Sequence, residues 1–105
     1  DCGISDVTAK RWLTILEASY IIFLLKPHYK NLNKRLTKTP KIFFYDPGIA
    51  CNLLNLKASE IPLHYTRGGL FESLVISDIA KSYYNHALIP RLYFWQAVKG
   101  HEIDC

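Results

Sequence analysis

The final residues, Gly100-His101-Glu102-Ile103-Asp104-Cys105, set two carboxylates two positions apart. Side chains alternate along a strand, so Glu102 and Asp104 would share one face. Neighbouring carboxylates repel each other unless a cation or basic group lies between them. Hard divalent ions such as magnesium favour oxygen ligands of this kind. Glu72, in an upstream segment of helical periodicity, is a third carboxylate within reach of the same place. The plainer alternative is an acidic, solvated strand end, and the pattern alone leaves both open. Other chemistry is weaker. Ser73 and Ser77 have no histidine at a telling interval, and His28, His64, His86 and His101 are scattered. No Gly-x-x-x-x-Gly-Lys-Ser/Thr phosphate loop occurs. Arg67-Gly68-Gly69 precedes a helix and could receive an anion, but two glycines are a weak signal.

A second group of residues suits phosphate. Lys26, Lys30, Lys34, Arg35, Lys38 and Lys41 follow one another with no acidic residue between them. Lys10 and Arg11 add two cations to the polar side of an upstream helix. Such a surface neutralises a nucleic-acid backbone; a solvated basic loop is the competing explanation.

Those residues need elements to hold them. Ser5 is a suitable helix N-cap with Asp6 in the first turn. Ala9, Leu13, Leu16 and Tyr20 then recur at helical spacing, with Trp12 and Ile15 widening the stripe. The β-branched and aromatic runs at Tyr20–Lys26 and Lys41–Asp46 predict two strands separated by the basic loop. Asp46-Pro47-Gly48 restarts a helix that ends near Asn55. A polar connection with Pro62 and a glycine pair follows. The longest helix is predicted from about Gly69 to Tyr84, with Phe71, Leu74, Val75, Ile79 and Tyr83 as its buried stripe and Leu70 and Ile76 broadening it. A strand at Arg91–Gln96 and a returning strand from Glu102 complete the chain.

The 105 residues are half apolar and 21% charged, with a net charge of +4, which is enough to bury a core. The longest apolar run, Tyr20 to Leu25, is far shorter than the roughly 20 residues of a membrane span. No partnership with a membrane is expected. Cys2, Cys51 and Cys105 are odd in number and widely spaced, which predicts free thiols and a cytoplasmic location. A bridge between the two terminal cysteines stays open as an alternative. Methionine is absent, position 1 included, and the chain is expected to be a fragment.

"KIFFYDPGIA", "GGLFESLV" and "YFWQ…GHEID", in that order, closely resemble the C-terminal region of a prokaryotic AAA-type ATPase family, the domain of unknown function 4143. The resemblance takes in nearly the whole chain. It implies an α+β fold: a partial winged helix-turn-helix-like unit at 1–57, then at 58–105 the truncated helix-strand-strand start of a restriction-endonuclease-like PD-(D/E)xK domain. By position, Glu72 matches that fold's helix acid and Asp104 its strand aspartate. The Glu-x-Lys strand would follow Cys105.

The resemblance therefore implies no catalytic residue and no cofactor in this fragment. Magnesium would belong to the complete domain and ATP to the parent alone. The expected role is a non-catalytic nucleic-acid-binding or regulatory region. DNA would be met by Lys10, Arg11, Lys30, Lys34, Arg35 and Lys38, and the parent's ATPase domain would be a partner. The alternatives are a truncated piece of a magnesium-dependent nuclease-like domain and a protein-interaction module. An unfinished sheet would expose strand-edge groups and the apolar face around Leu92 to Trp95, which predicts self-association through that edge or through exchanged segments.

Overall fold

The computed structural model describes residues 3–28, 39–96 and 102–103. It is an α+β structure in which one sheet holds everything together. Helix α1 (Asp6–Ala18) leads into β1 (Ile22–Pro27), and β2 (Lys41–Phe44) returns beside it. Helix α2 (Pro47–Leu53), a short 3-10 turn (Ile61–Leu63) and the long helix α3 (Arg67–Asn85) follow, then β3 (Tyr93–Gln96) and β4 (Glu102–Ile103).

The strand order is β2-β1-β3-β4. β1 pairs antiparallel with β2, Leu24 opposite Ile42, and parallel with β3, Lys26 opposite Tyr93. β4 closes antiparallel on β3, with Trp95 opposite Ile103. Strands from either side of residue 57 thus share one sheet. In this order β3 is an interior strand, with β1 on one side and β4 on the other. His28 N–H extends the β1–β3 contact by donating to the Phe94 carbonyl at 2.7 Å.

The local signals act as physical chemistry requires. Ser5 Oγ accepts from Thr8 N–H at 3.2 Å, and Asp46 Oδ1 from Gly48 N–H at 2.8 Å, so both predicted N-caps satisfy an orphan amide. Gly3, just before the first cap, has a φ of +68°, a conformation that favours glycine. Helices α1, α2 and α3 end alike, in a Schellman turn. Tyr20, Asn55 and Ala87 adopt left-handed φ values of 53–55°, and the next residue's N–H reaches five residues back: Ile21 to Leu16, Leu56 to Cys51, Leu88 to Tyr83. This turn consumes Tyr20 and Ile21, which is why β1 begins at Ile22 and not at Tyr20.

The core is small. Leu25, Phe43, Ile76 and Phe94 form its centre, with Phe23 and Leu92 packed against it. Ile22 and Ala80 are also buried. α3 turns Ile76, Ser77 and Ala80 to the sheet. The predicted stripe of this helix needs correction: Phe71, Leu74 and Val75 are exposed, and the burial face is rotated from it. Ser77 and Ala80 are small and buried, and the Ser77 hydroxyl is satisfied within the helix by the Leu74 carbonyl at 3.0 Å. Among the described residues no helix is long and apolar enough to cross a membrane.

Candidate nucleic-acid interface

α1 rests on β1 through one narrow stripe. Ala9, Leu13 and Leu16 are half-buried, and no residue of the helix is fully buried. Trp12 and Ile15, expected to widen that stripe, are instead 54% and 61% exposed, because β1 meets the helix along a single line. Lys10 and Arg11 are both exposed and neither makes an ion pair among the described residues. Thr14 Oγ1 donates to the Lys10 carbonyl at 2.9 Å. The outer side of α1 thus offers two adjacent cations next to an exposed indole. Lys30, Lys34, Arg35 and Lys38, the rest of the expected phosphate surface, lie outside the described residues.

The acidic candidates separate in the same way. Asp104 lies outside the described residues, and Glu102 is placed only as the β4 residue opposite Gln96. Glu72, half-buried on α3, faces Lys41 of β2, with Oε1 3.5 Å from Nζ. The same ammonium stands over the Phe94 ring, 5.2 Å from its centre. Among the described residues no three His, Cys, Asp or Glu side chains gather to hold a metal ion. The described residues alone do not fit a magnesium site.

His64 and His86 serve local structure. His64 Nδ1 accepts from Thr66 N–H at 3.3 Å and pairs with the Thr66 hydroxyl at 2.7 Å, which holds the ring against the start of α3. His86 caps α3, its Nδ1 donating to the Ser82 carbonyl at 2.8 Å. Thr66, at the start of α3, makes no side-chain cap, but a helix start without a bound group is not an anion site.

One constellation escaped the sequence. Tyr20, Tyr45 and Tyr84 meet with ring centres 6.1–6.4 Å apart. The Tyr45 and Tyr84 hydroxyls hydrogen-bond at 3.3 Å, and Phe23 packs on Tyr45 at 4.8 Å. Burial, followed by the hydroxyl of Tyr84, pushes the Tyr45 phenol far above its ordinary value. These rings line a cleft of about 670 Å³ that Tyr93, Lys26 and Glu17 also border. The three tyrosines stand at element ends distant in sequence, so no spacing could announce them.

Residues 1–60 match the domain of unknown function DUF8612, which is more than half of the chain. The chain belongs to the DUF8612 family. The adjoining residues 67–105 match the domain of unknown function DUF4143. The resemblance to DUF4143, read from the sequence as nearly chain-wide, therefore holds for the C-terminal part, and the DUF8612 region accounts for α1, β1, β2 and α2. Uncharacterised proteins of Mycobacterium bovis and Mycobacterium tuberculosis are each 27% identical over 103 residues. The match covers 96% of this DUF8612 chain and 22% of each relative. No solved structure matches.

Proposed function

We propose that this chain is a non-catalytic, nucleic-acid-contacting part of a larger ATPase-type protein, its DUF8612 region forming the rear half of a winged helix with α1 as the recognition helix. The observation that supports this best is the outer face of α1, where Lys10 and Arg11 stand exposed and without ion-pair partners among the described residues. The acid-free basic segment from Lys26 to Lys41 follows it in sequence, and α1, β1 and β2 come in winged-helix order. Each cation that neutralises a phosphate releases counterions, so affinity must fall steeply with salt. Duplex DNA binding by the chain is measured across a salt series, with and without the pair K10A and R11A. Loss of about two from the slope of log affinity against log salt is expected; an unchanged slope, or no binding at low salt, overturns the reading.

A second reading takes residues 67–105 as the start of a nuclease-like domain, with Glu72 and Asp104 as two of its acidic positions. It is favoured by the place of Glu72, half-buried on the helix that precedes the β3–β4 pair. If both acids belong to one ion site, added magnesium raises the melting temperature of the chain, and E72Q or D104A abolishes that rise. An equal rise in both variants overturns it.

A further inference from the structure

The tyrosine cleft has features that core packing does not require. Three helices end with a residue in the left-handed region, and two of them place small residues there, Asn55 and Ala87. The third places Tyr20, whose side chain crowds the backbone in this conformation as a glycine would not. A strained residue persists where its side chain is needed, yet the Tyr20 ring is not buried: 68% of the residue remains exposed. Tyr84 and Tyr93 are also open, at 44% and 45%. The triad is too tight to admit a ligand between its own rings, since centres 6.1–6.4 Å apart are already in contact. A guest in the cleft would therefore stack on Tyr20 or Tyr93, the latter with the His28 ring edge-on at 5.7 Å. The cleft volume lies within the range of small-ligand sites. Its border is mixed in character: Lys26, exposed and opposite Tyr93 in the β1–β3 ladder, supplies a cation, while Glu17 and the Tyr84 hydroxyl supply hydrogen-bonding groups.

From this geometry we propose that the cleft receives a nucleobase of single-stranded nucleic acid, stacked on Tyr20, with its phosphate toward Lys26. Open aromatic faces accept any base, a nearby cation tracks the backbone, and a polar edge meets the base's own donors and acceptors. This inference rests on the nucleic-acid reading above but uses a different surface: α1's outer cations meet duplex phosphates, the tyrosines meet an unpaired base.

The chain is titrated with three fluorescent probes: a short oligothymidylate, a blunt duplex of similar length, and a labelled thymidine 5′-monophosphate. The key variant is Y20G, which removes the ring while suiting the backbone, and its fold is verified by circular dichroism and thermal melting. Y20F, which keeps the ring, is the control. Oligothymidylate binding weakened about tenfold in Y20G, preserved in Y20F, with duplex binding unchanged in both, is the expected result. Equal oligothymidylate binding by Y20G overturns the cleft while leaving the α1 reading in place, as does duplex binding without single-strand binding. Mononucleotide binding as tight as that of the oligomer overturns the strand as the source of the base. No binding of any probe overturns both readings.

Discussion

Lys41 on β2 and Glu72 on α3 form an ion pair across the helix-sheet contact, Nζ to Oε1 3.5 Å, with both side chains about three-quarters removed from solvent. The pair fastens the DUF4143-matching helix to a strand of the DUF8612 region. The Phe94 ring beneath the ammonium adds a strand from the C-terminal part to the same contact. A pair this far from water is more than a surface bridge and less than a fully buried one. Replacing Lys41 by methionine keeps the apolar stem against Phe94 but takes the cation from Glu72. K41M is expected to lose about 1–3 kcal/mol in urea denaturation, and the double variant K41M/E72L to recover part of that loss, because it no longer holds a carboxylate at the interface. A double variant less stable than K41M would contradict this account.

Tyr45 gives the fold an alkaline limit. An ordinary phenol ionises near pH 10, while burial and the Tyr84 hydroxyl hold Tyr45 neutral well beyond that in the folded chain. Below pH 10 the residue is neutral folded or unfolded, so its full contribution is present there. As pH rises past 10 the unfolded chain releases a proton that the folded chain keeps, and stability falls. Urea midpoints measured from pH 8 to 11 should decline at the alkaline end, and less so for Y45F. In a spectroscopic titration of the seven tyrosines, the Y45F variant should lose the latest-ionising one.

The sequence made the cap-governed parts of this fold legible. Ser5, Asp46 and Asn55 act through neighbours within five residues, and each stands where its local chemistry predicts. The face of α3 was not legible, because Phe71, Leu74, Val75 and Ile76 are all apolar and periodicity cannot say which line meets the sheet. The observed face takes in Ile76, Ser77 and Ala80, and the hydroxyl of Ser77 does not mark a core position by hydropathy. The parallel pairing of β1 with β3 was equally hidden, since it joins strands more than sixty residues apart. Of the candidate site, Lys10 and Arg11 were readable as a polar helix face. The Lys41–Glu72 pair and the tyrosine triad were not, because their partners come from different elements.

The rotated face of α3 has a direct consequence. Ile76 is 2% exposed within the central cluster, while its neighbour Val75 is 41% exposed. Truncating Ile76 to alanine removes contacts with Leu25, Phe43 and Phe94 and leaves a cavity, at a cost of about 2–4 kcal/mol. Truncating Val75 removes only partly wetted surface and should cost under about 1 kcal/mol. The two variants, compared by urea denaturation at one pH, separate the observed face from the hydropathy stripe. Equal losses would mean that α3 sits in the other orientation.

Ala87 offers a way to strengthen the chain without touching its core. It occupies the left-handed position after α3, at a φ of +55°, and its N–H donates to the Tyr84 carbonyl at 2.9 Å. Its Cβ crowds the backbone in this conformation, and glycine would not. Opposing this, glycine enlarges the freedom of the unfolded chain, so the net gain is a fraction of the strain. A87G is expected to raise stability by about 0.5–1 kcal/mol, read as a higher thermal midpoint with unchanged helical circular dichroism. The same exchange at Asn55 should gain less, since asparagine tolerates this region better than alanine. At Tyr20 the outcome divides: Y20G relieves a strain like that at Ala87, at the same φ of 55°, but removes a ring from the triad with Tyr45 and Tyr84, so its gain must fall below that of A87G. A melting temperature for Y20G above that of A87G would show that the triad contributes nothing to the fold and that Tyr20 is held there for its exposed face alone.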